Sequence, residues 1–329
     1  MEKVEIYFLN YKFNIYLKKM LKERFSKFWR SFLTRDIEFE ITDEWDIYFL
    51  DANSGKTQMD YDKKRIYHYY NSICDLTELN NLIRETIVKL SAMDGIVWIH
   101  CSGFMINNKT FLAIGNKGYG KTTMLLNMLF KGAKFIGNDQ LPIFEHNKKI
   151  CTYIWRPDIK IAIDYAIRLG ITNNNNEITE DEKILYLVNN KIPYNFIDPE
   201  KMSERIKKKI TLPDKEIKIT LPLKKVNQID YLIFLDEKQI IDKYKKKNIL
   251  NKIKYDQETI VAYKLKNMKK YMPYWNKRIT KVKLNKKARK TNKNIIKKLS
   301  KQTQKMICGN RLKFDYILKE ISQIIEGEK

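Results

Sequence analysis

The eight residues from Gly115 to Thr122, GNKGYGKT, have the types and spacing of a phosphate-binding loop. They match the pattern G-x-x-x-x-G-K-[S/T], in which glycines let the backbone curl so that several N–H groups hold phosphate oxygens. Lys121 would reach the β- and γ-phosphates of a nucleoside triphosphate, and the hydroxyl of Thr122 would be a ligand of Mg²⁺. The pattern therefore predicts binding of ATP with magnesium, followed by transfer or hydrolysis of a phosphate.

A loop of this kind joins a strand to a helix, and the flanking sequence predicts both elements. The stretch KTFLAI precedes the loop, and KTTMLLNMLFKG follows it as a helix that ends at Gly132. The N-terminus of that helix would add a partial positive charge beside the phosphates. The alternative is an incidental glycine turn before a core helix. The residues predicted to contact the nucleotide are Gly115, Asn116, Lys117, Gly118, Tyr119, Gly120, Lys121, Thr122 and Thr123.

Asp139 follows a second predicted strand, AKFI, in the sequence FIGNDQLPI. A strand, loop, helix and strand in this order form a βαβ unit, whose two strands run parallel. Ligands of such sheets bind at the carboxyl ends of the strands, which brings Asp139 to the γ-phosphate side of the nucleotide. There it could hold Mg²⁺ together with Thr122, or accept a proton from an attacking hydroxyl. The alternative is an aspartate that only stabilises a turn.

His100 is placed near the phosphates by the spacing of a predicted hairpin. Asn107 and Asn108 form a good two-residue turn between the apolar stretches VWIHCSGFMI and KTFLAIG. With that turn, Met105 faces Thr110 and His100 faces the start of the phosphate loop. His100 could then move a proton during catalysis. The alternative is a packed histidine on a half-buried strand.

A second carboxylate pair, Asp236-Glu237, competes for the role at the phosphates. The stretch DYLIFLDE has four apolar residues before the acidic pair. This is typical of a strand that brings an aspartate to Mg²⁺ and a glutamate to the attacking water in P-loop ATPases. The alternative is a buried strand that ends in a polar turn.

Three regions of the chain differ in composition: residues 1–74, 75–236 and 237–329. The first is rich in aromatic residues, and the runs KVEIYFL, DIEFEI and WDIYFL predict strands around a basic helical stretch at Tyr16–Leu33. We predict an N-terminal α+β region there and a nucleotide-binding core in the second. The third is predicted to be basic and mainly helical, with the tail RLKFDYILKEISQII packed on the core.

The formal net charge of the chain is +25, and most of it lies in one segment. Residues 241–310 contain 23 Lys and Arg against 3 Asp and Glu, a net charge of +20. Such a surface favours an acidic partner, and an acidic peptide or protein substrate is the first candidate. Nucleic acid and an anionic membrane surface are the alternatives, together with a merely solvated surface.

The remaining composition predicts an intracellular protein. The four cysteines, Cys74, Cys101, Cys151 and Cys308, form no CxxC pair, which is typical of a reducing compartment. The charged N-terminus has no apolar signal segment, and no apolar run is long enough to span a bilayer. We therefore predict a cytoplasmic location without a membrane span.

The segment Ile99–Ile143 resembles the HPr kinase/phosphorylase family, and in particular its divergent relatives associated with peptide-modification operons. The likeness lies in a histidine before a hairpin, the phosphate loop, the helix, and the sequence KGAKFIGND. Members of the family transfer phosphate from ATP to a serine hydroxyl of a protein or peptide with Mg²⁺, and often form homo-oligomers. The resemblance implies catalytic roles for His100, Lys121 and Asp139.

The chain departs from the family at Asn138, where the first of two aspartates usually stands. An amide cannot accept the serine proton, so Asp139 or His100 would be the base. A glycine-rich segment of true HPr kinases is also missing, so neither HPr as substrate nor a phosphorylase activity is predicted. The predicted fold class is α/β: a P-loop kinase core of HPr-kinase type with a mixed sheet, an N-terminal α+β region and a basic helical C-terminal region.

The leading functional prediction is an ATP- and Mg²⁺-dependent kinase acting on a serine-type hydroxyl of a peptide or protein. The first alternative is a P-loop ATPase or nucleotide switch that uses Asp236 and Glu237, in association with nucleic acid. The second is a degenerate module that binds nucleotide without catalysis.

Overall fold

A computed structural model describes the chain in ten ranges, which together contain sixteen strands and five α-helices. The ranges are 1–52, 56–70, 76–115, 119–155, 159–162, 209–212, 221–235, 286–303, 305–309 and 314–326. The chain forms two compact units. The first comprises Met1–Ile99, Pro142–Ile150 and Lys246–Lys301, and the second comprises His100–Leu141, Cys151–Lys245 and Gln302–Lys329.

The first unit is built on a five-stranded mixed sheet with the order β1-β2-β3-β5-β4. The outer pairs β1–β2 and β4–β5 are antiparallel, while β2–β3 and β3–β5 are parallel. The strands are β1 (Glu2–Phe8), β2 (Tyr11–Leu17), β3 (Asp43–Asp51), β4 (Lys56–Asp60) and β5 (Arg65–Tyr70).

Alternation of apolar and polar residues explains why one face of this sheet is buried. The inward side chains are large and apolar, and include Phe13, Ile15, Ile47, Phe49 and Ile66. Two helices belong to the same unit, α1 (Lys19–Phe28) and α2 (Leu76–Met93), with a short 3₁₀ turn at Arg30–Phe32. Apolar residues recur at helical spacing on α2 and are buried, namely Leu79, Leu82, Ile83, Ile87 and Leu90.

One predicted strand of this unit, DIEFEI, is wrong. Residues 36–41 form no strand but contain a turn at 37–38, where the carboxylate of Asp36 accepts the backbone N–H of Glu38 and the Asp36 carbonyl accepts that of Phe39. Ile37 is 94% exposed, so the alternating pattern has no core to face. The predicted helical stretch Tyr16–Leu33 is also shorter than expected, because its first two residues complete β2.

Two further strands of the first unit are neighbours in another sheet. β6 (Val97–Ile99) neighbours β10 (Leu141–His146), which turns into β11 (Lys149–Tyr153). Asn147 and Lys148 have φ of 48° and 63°, as a tight two-residue hairpin requires. The helix α4 (Lys286–Gln302) completes this unit, and only its last residue belongs to the second.

Lys89 of α2 is a buried lysine that makes the first unit sensitive to pH. Its side chain is only 7% exposed, and its ammonium lies 5.4 Å from the ring centroid of Tyr61. Burial lowers the pKa of Lys89 from 10.5 to about 7. The unfolded chain therefore binds more protons than the folded chain between these two values, and stability rises with pH across that window.

We expect Lys89→Met to stabilise the protein at pH 7 by about 3 kcal/mol. A shift of one pKa unit corresponds to about 1.4 kcal/mol, and the lost contact with Tyr61 offsets up to about 2 kcal/mol. The gain in unfolding free energy should shrink as the pH rises from 7 to 9.5, because removing the proton from Lys89 on folding costs less free energy at higher pH. Urea unfolding of both proteins at the two pH values measures this difference. An equal gain at both values would show that burial of the charge is not the cause.

The second unit is built on another five-stranded mixed sheet, with the order β16-β15-β8-β7-β9. β8, β15 and β16 are mutually parallel, and β7 is antiparallel to both of its neighbours. The strands are β7 (Cys101–Ile106), β8 (Lys109–Gly115), β9 (Lys134–Gly137), β15 (Tyr231–Leu235) and β16 (Lys305–Gly309). Shorter strands of this unit are β12 (Ile159–Ala162), β13 (Lys209–Leu212) and β14 (Val226–Gln228).

The predicted βαβ unit is present, with one strand inserted. The helix α3 (Lys121–Phe130) connects β8 to β9, and these two strands are parallel because each is antiparallel to β7. β7 lies between them in the sheet. The carboxyl ends of β8 and β9 therefore point to the same edge, where ligands of such sheets bind.

The core of the second unit lies between this sheet and two helices. Met124, Leu125 and Met128 of α3 are buried against strand residues such as Phe104 and Phe111. Ile317 and Ile321 of α5 (Phe314–Glu326) belong to the same apolar cluster. The chain is thus a mixed α/β protein with mixed sheets. None of the helices in the described ranges is long and apolar enough to cross a membrane. The division into three sequence regions stays a prediction.

Candidate functional site

The β7–β8 hairpin sets the position of His100, and its predicted register is confirmed. Asn107 and Asn108 have φ of 47° and 60°, the left-handed values of a tight two-residue turn. Met105 lies opposite Thr110, and the ladder continues to the first residue of β7. His100 directly precedes that residue, at the end of the hairpin where β8 enters the phosphate loop.

The described residues of the predicted phosphate loop lie on both sides of residues 116–118 and include its lysine. Gly115 ends β8, and Gly120 has a left-handed φ of 92° immediately before α3 begins. Lys121 is the first residue of α3 and is buried, and its Nζ donates a hydrogen bond to the carbonyl of Gly115 at 2.7 Å. The hydrogen bond from the ammonium group of Lys121 thus links the end of the loop to its first residue, Gly115. The predicted contact residues Asn116, Lys117 and Gly118 lie outside the described residues.

β15 lies close to β8 where the predicted phosphate loop begins. The two strands are parallel, and Leu235 lies opposite Gly115. A Cβ atom on Gly115 would stand 2.5 Å from the carbonyl oxygen of Leu235, so only glycine fits there without a shift. The competing carboxylates Asp236 and Glu237 follow Leu235 in sequence and lie outside the described residues.

Asn138 connects the phosphate-loop helix to β7. Its side chain is 6% exposed, and its Oδ1 accepts hydrogen bonds from Ser102 Oγ at 2.8 Å and from Thr122 Oγ1 at 3.2 Å. An amide oxygen has two lone pairs, so these two hydroxyls use its accepting capacity. Because the single proton of the Thr122 hydroxyl points to Asn138, the lone pairs of that hydroxyl point elsewhere and can bind a cation.

Asp139 lies within hydrogen-bonding distance of His100. Its Oδ1 lies 3.1 Å from Nε2 of His100, and the two side chains are 39% and 29% exposed. A carboxylate only accepts, so the ring proton belongs on Nε2 and Nδ1 is left as an acceptor. Asp139 also has a left-handed φ of 73°, a conformation that costs energy in most residues and is best tolerated by Asn and Asp.

The predicted site residues lie close together, but they contact different partners from those expected. Thr122 and Asp139 were expected to share a cation, but Thr122 hydrogen-bonds to Asn138, while Asp139 pairs with His100. Both pairs lie at the carboxyl end of β9. The assignment of Thr122 and Asp139 as metal ligands stays a prediction, as do the roles of the other site residues. Tyr119 directly precedes Gly120 in the described part of the loop, and Thr123 follows Thr122 in the first turn of α3.

Sequence reasoning missed Ser102, although a signal for it existed. Side chains two residues apart in a strand share a face, and Ser102 stands two residues after His100. It is fully buried, and a buried hydroxyl needs a hydrogen-bond partner, which Asn138 supplies. A serine on the strand beside the predicted catalytic residues could have been named from the hairpin register.

Comparison with known proteins leaves the family of this chain open. No protein-family model matches the chain, and no curated protein matches it. Among solved structures it is similar to the HPr(Ser) kinase/phosphatase from Coxiella burnetii, with 12% identity and a TM-score of 0.26. That likeness covers 45% of this chain and 72% of that chain. A TM-score this low assigns neither a fold nor a function.

Proposed function

We propose that the second unit is an ATP-dependent phosphotransferase that moves a phosphate to a serine-type hydroxyl of a peptide or protein. The observation that carries the proposal is the 3.1 Å pair of His100 and Asp139 beside Asn138, whose oxygen accepts the hydroxyl of Thr122. The proposed proton acceptor and the helix predicted to bind phosphate therefore lie at one sheet edge. This is the arrangement that transfer to a hydroxyl needs.

The transfer step uses groups of this chain in separate roles. The loop N–H groups and Lys121 bind the triphosphate and neutralise charge on the transferred phosphate. Nδ1 of His100 accepts the proton as the hydroxyl oxygen forms its bond to phosphorus, and the bond between phosphorus and the bridging oxygen of ADP breaks. Asp139 holds the ring in the correct tautomer and stabilises the positive charge that develops on it.

Magnesium fits the donor atoms around Thr122. Mg²⁺ prefers oxygen ligands and is often held by one or two side chains together with nucleotide phosphates. The hydroxyl of Thr122 supplies one such oxygen, and the carboxylate of Asp139 is the second candidate ligand. The bound cation would supply charge neutralisation at the phosphates. Asn138 orients the Thr122 hydroxyl in this proposal, since an amide cannot act as a base.

The sequence resemblance to HPr kinases supports the choice of a hydroxyl as acceptor. The motif KGAKFIGND and the histidine before the hairpin are the matching residues. The substrate we propose is an acidic peptide or protein, because the chain carries an excess of positive charge. We place the reaction in the cytoplasm, where ATP is available and where the buried thiols of Cys101 and Cys151, which form no disulfide, would stay reduced.

A second candidate function is an ATPase that uses Asp236 and Glu237. The position of β15 favours it, because this buried strand lies parallel and adjacent to β8, with Leu235 opposite Gly115. A carboxylate that follows such a strand serves Mg²⁺ or water in P-loop ATPases. A module that binds nucleotide without turning it over is the remaining alternative.

The function is tested by incubating the protein with ATP labelled at the γ-phosphate and with serine-containing acidic peptides. We expect label on the peptide and, for Lys121→Ala, at least a tenfold loss of ATP affinity, because Lys121 is the cation of the loop. Lys131→Ala is the matched control, since Lys131 is exposed beyond the other end of α3. Label released only as inorganic phosphate would favour the ATPase, and ATP binding without turnover would favour the binding module.

A further inference from the structure

The helix α4 buries one narrow stripe, half-buries Thr291 and Ile296 beside it, and exposes the opposite surface. Its inward side chains recur at helical spacing and are Ala288, Asn292, Ile295 and Leu299. A helix with so narrow a stripe exposes most of its circumference to solvent. The composition of that exposed surface therefore determines what α4 can bind.

Every charged residue of α4 is basic, and each is exposed. Eight Lys and Arg side chains occur in its seventeen residues, with no Asp or Glu among them. We call them the basic face: Lys286, Lys287, Arg289, Lys290, Lys293, Lys297, Lys298 and Lys301. At 100° per residue, Lys286, Lys290, Lys293, Lys297 and Lys301 lie within a narrow arc directly opposite the buried stripe.

Contacts within the first unit fix this helix in place. Lys298 bonds to Glu145 of β10, so one edge of the basic face is tied to the sheet. Thr291 packs so closely on Gly95, which follows α2, that a Cβ on that glycine would stand 2.8 Å from Thr291 Cγ2. The basic side chains therefore project from a held backbone, which lowers the entropy cost of binding an extended ligand.

The linear charge density of the basic face matches that of a nucleic-acid strand. From Lys286 to Lys301 the helix is about 22 Å long, at about 1.5 Å per residue. Lys298 is paired with Glu145, and the other seven charges over that length give one positive charge per about 3 Å. A single strand carries one phosphate per about 3.4 Å of helix axis, whereas a duplex carries one per about 1.7 Å. An extended peptide would match only if nearly every residue were acidic, because it rises about 3.3 Å per residue.

We propose that the basic face of α4 binds the phosphate backbone of a single-stranded nucleic acid. Seven of the eight side chains are lysines, which bind phosphate as point charges rather than in the bidentate manner of arginine. α4 has no aromatic residue for base stacking. The binding is therefore independent of base sequence and depends strongly on salt. The proposal concerns the first unit and does not depend on phosphate transfer in the second.

The test is fluorescence anisotropy with a labelled 20-nucleotide RNA of mixed sequence, between 50 and 200 mM salt. The test variant carries Lys286→Gln, Lys290→Gln and Lys293→Gln, which keep helix propensity because Gln and Lys are similar formers. The control carries Lys19→Gln, Arg24→Gln and Lys27→Gln, three exposed basic residues of α1 with the same loss of charge. Circular dichroism and thermal unfolding verify that both variants are folded.

We expect the α4 variant to bind RNA at least tenfold more weakly at 50 mM salt. The slope of the log of the association constant against log salt is negative, and it should become less steep by about 2. Each of the three lost phosphate contacts removes about 0.7 for a single strand. The α1 control should bind within twofold of the wild type. An equal loss in both variants, no binding by the wild type, or tighter binding of poly-glutamate or anionic vesicles would overturn the proposal. A duplex bound more tightly than either of its strands would overturn the single-stranded assignment.

Discussion

Replacing Asp139 with asparagine is expected to slow phosphate transfer by about 10²- to 10⁴-fold, the usual contribution of general acid–base catalysis. The amide keeps the size of the side chain but cannot stabilise positive charge on His100, whose Nε2 lies 3.1 Å from the carboxylate. Asparagine also tolerates the left-handed φ of 73° at this position, so the backbone should keep its conformation. The loss should therefore appear in the rate of the chemical step and not in folding.

Single-turnover transfer from labelled ATP measures this rate, and urea unfolding confirms that the variant is as stable as the wild type. The informative companion is Asp236→Asn, which makes the same chemical change in the competing carboxylate. If the ATPase alternative is correct, Asp236→Asn abolishes turnover and Asp139→Asn has little effect. The phosphotransferase proposal requires the reverse order. ATP affinity measured without magnesium should stay within a few fold in both variants, because neither residue belongs to the predicted phosphate loop.

Replacing Gly115 with alanine is expected to destabilise the protein by about 3 kcal/mol, at the upper end of overpacking effects. The added Cβ would stand 2.5 Å from the carbonyl oxygen of Leu235, which is a backbone atom and cannot rotate away. Relief requires β8 and β15 to separate at the point where the phosphate loop starts. We therefore expect a lower urea midpoint together with weaker ATP binding.

Gly132→Ala is the control that separates crowding from backbone conformation. Gly132 has a φ of 86° and no atom within 4 Å of an added Cβ, so only the left-handed conformation is penalised, by about 1 to 2 kcal/mol. Tryptophan fluorescence reports unfolding of the protein, because tryptophans are buried in the first unit, as Trp98 is, and in the second, as Trp155 is. A Gly115→Ala protein that is more stable than Gly132→Ala would show that the two strands separate easily, and that the close approach does not constrain the loop.

Local patterns in the sequence predicted the parts of the fold that local physics determines. A two-residue turn fixes the register of its hairpin, so the pairing of Met105 with Thr110 followed from counting alone. The same counting placed His100 at the phosphate-loop end of the hairpin. The strand–helix–strand order fixed the parallel direction of β8 and β9. These predictions needed no knowledge of distant residues.

Long-range pairing could not be predicted in the same way. Nothing in the sequence near β8 shows that β15, more than one hundred residues later, lies beside it. The position of β7 between β8 and β9 depends on the pairing of β9 with the hairpin strand β7. This pairing brings Ser102 within hydrogen-bonding distance of Asn138. Ile37 shows the opposite failure, since an alternating pattern predicts a strand only where a core is present to bury its apolar face.

The hairpin β7–β8 has a consequence for how the chain tolerates changes in length. Extra residues at the Asn107-Asn108 turn lie at the far end of the ladder, where a longer surface loop costs little. One residue inserted between Ser102 and Met105 would instead turn every preceding side chain of β7 to the other face. His100 would then lose its contact with Asp139, and Ser102 would lose its hydrogen bond to Asn138. The β7–β8 hairpin should therefore accept insertions at its turn but not inside β7, because the length of β7 sets the positions of His100 and Ser102.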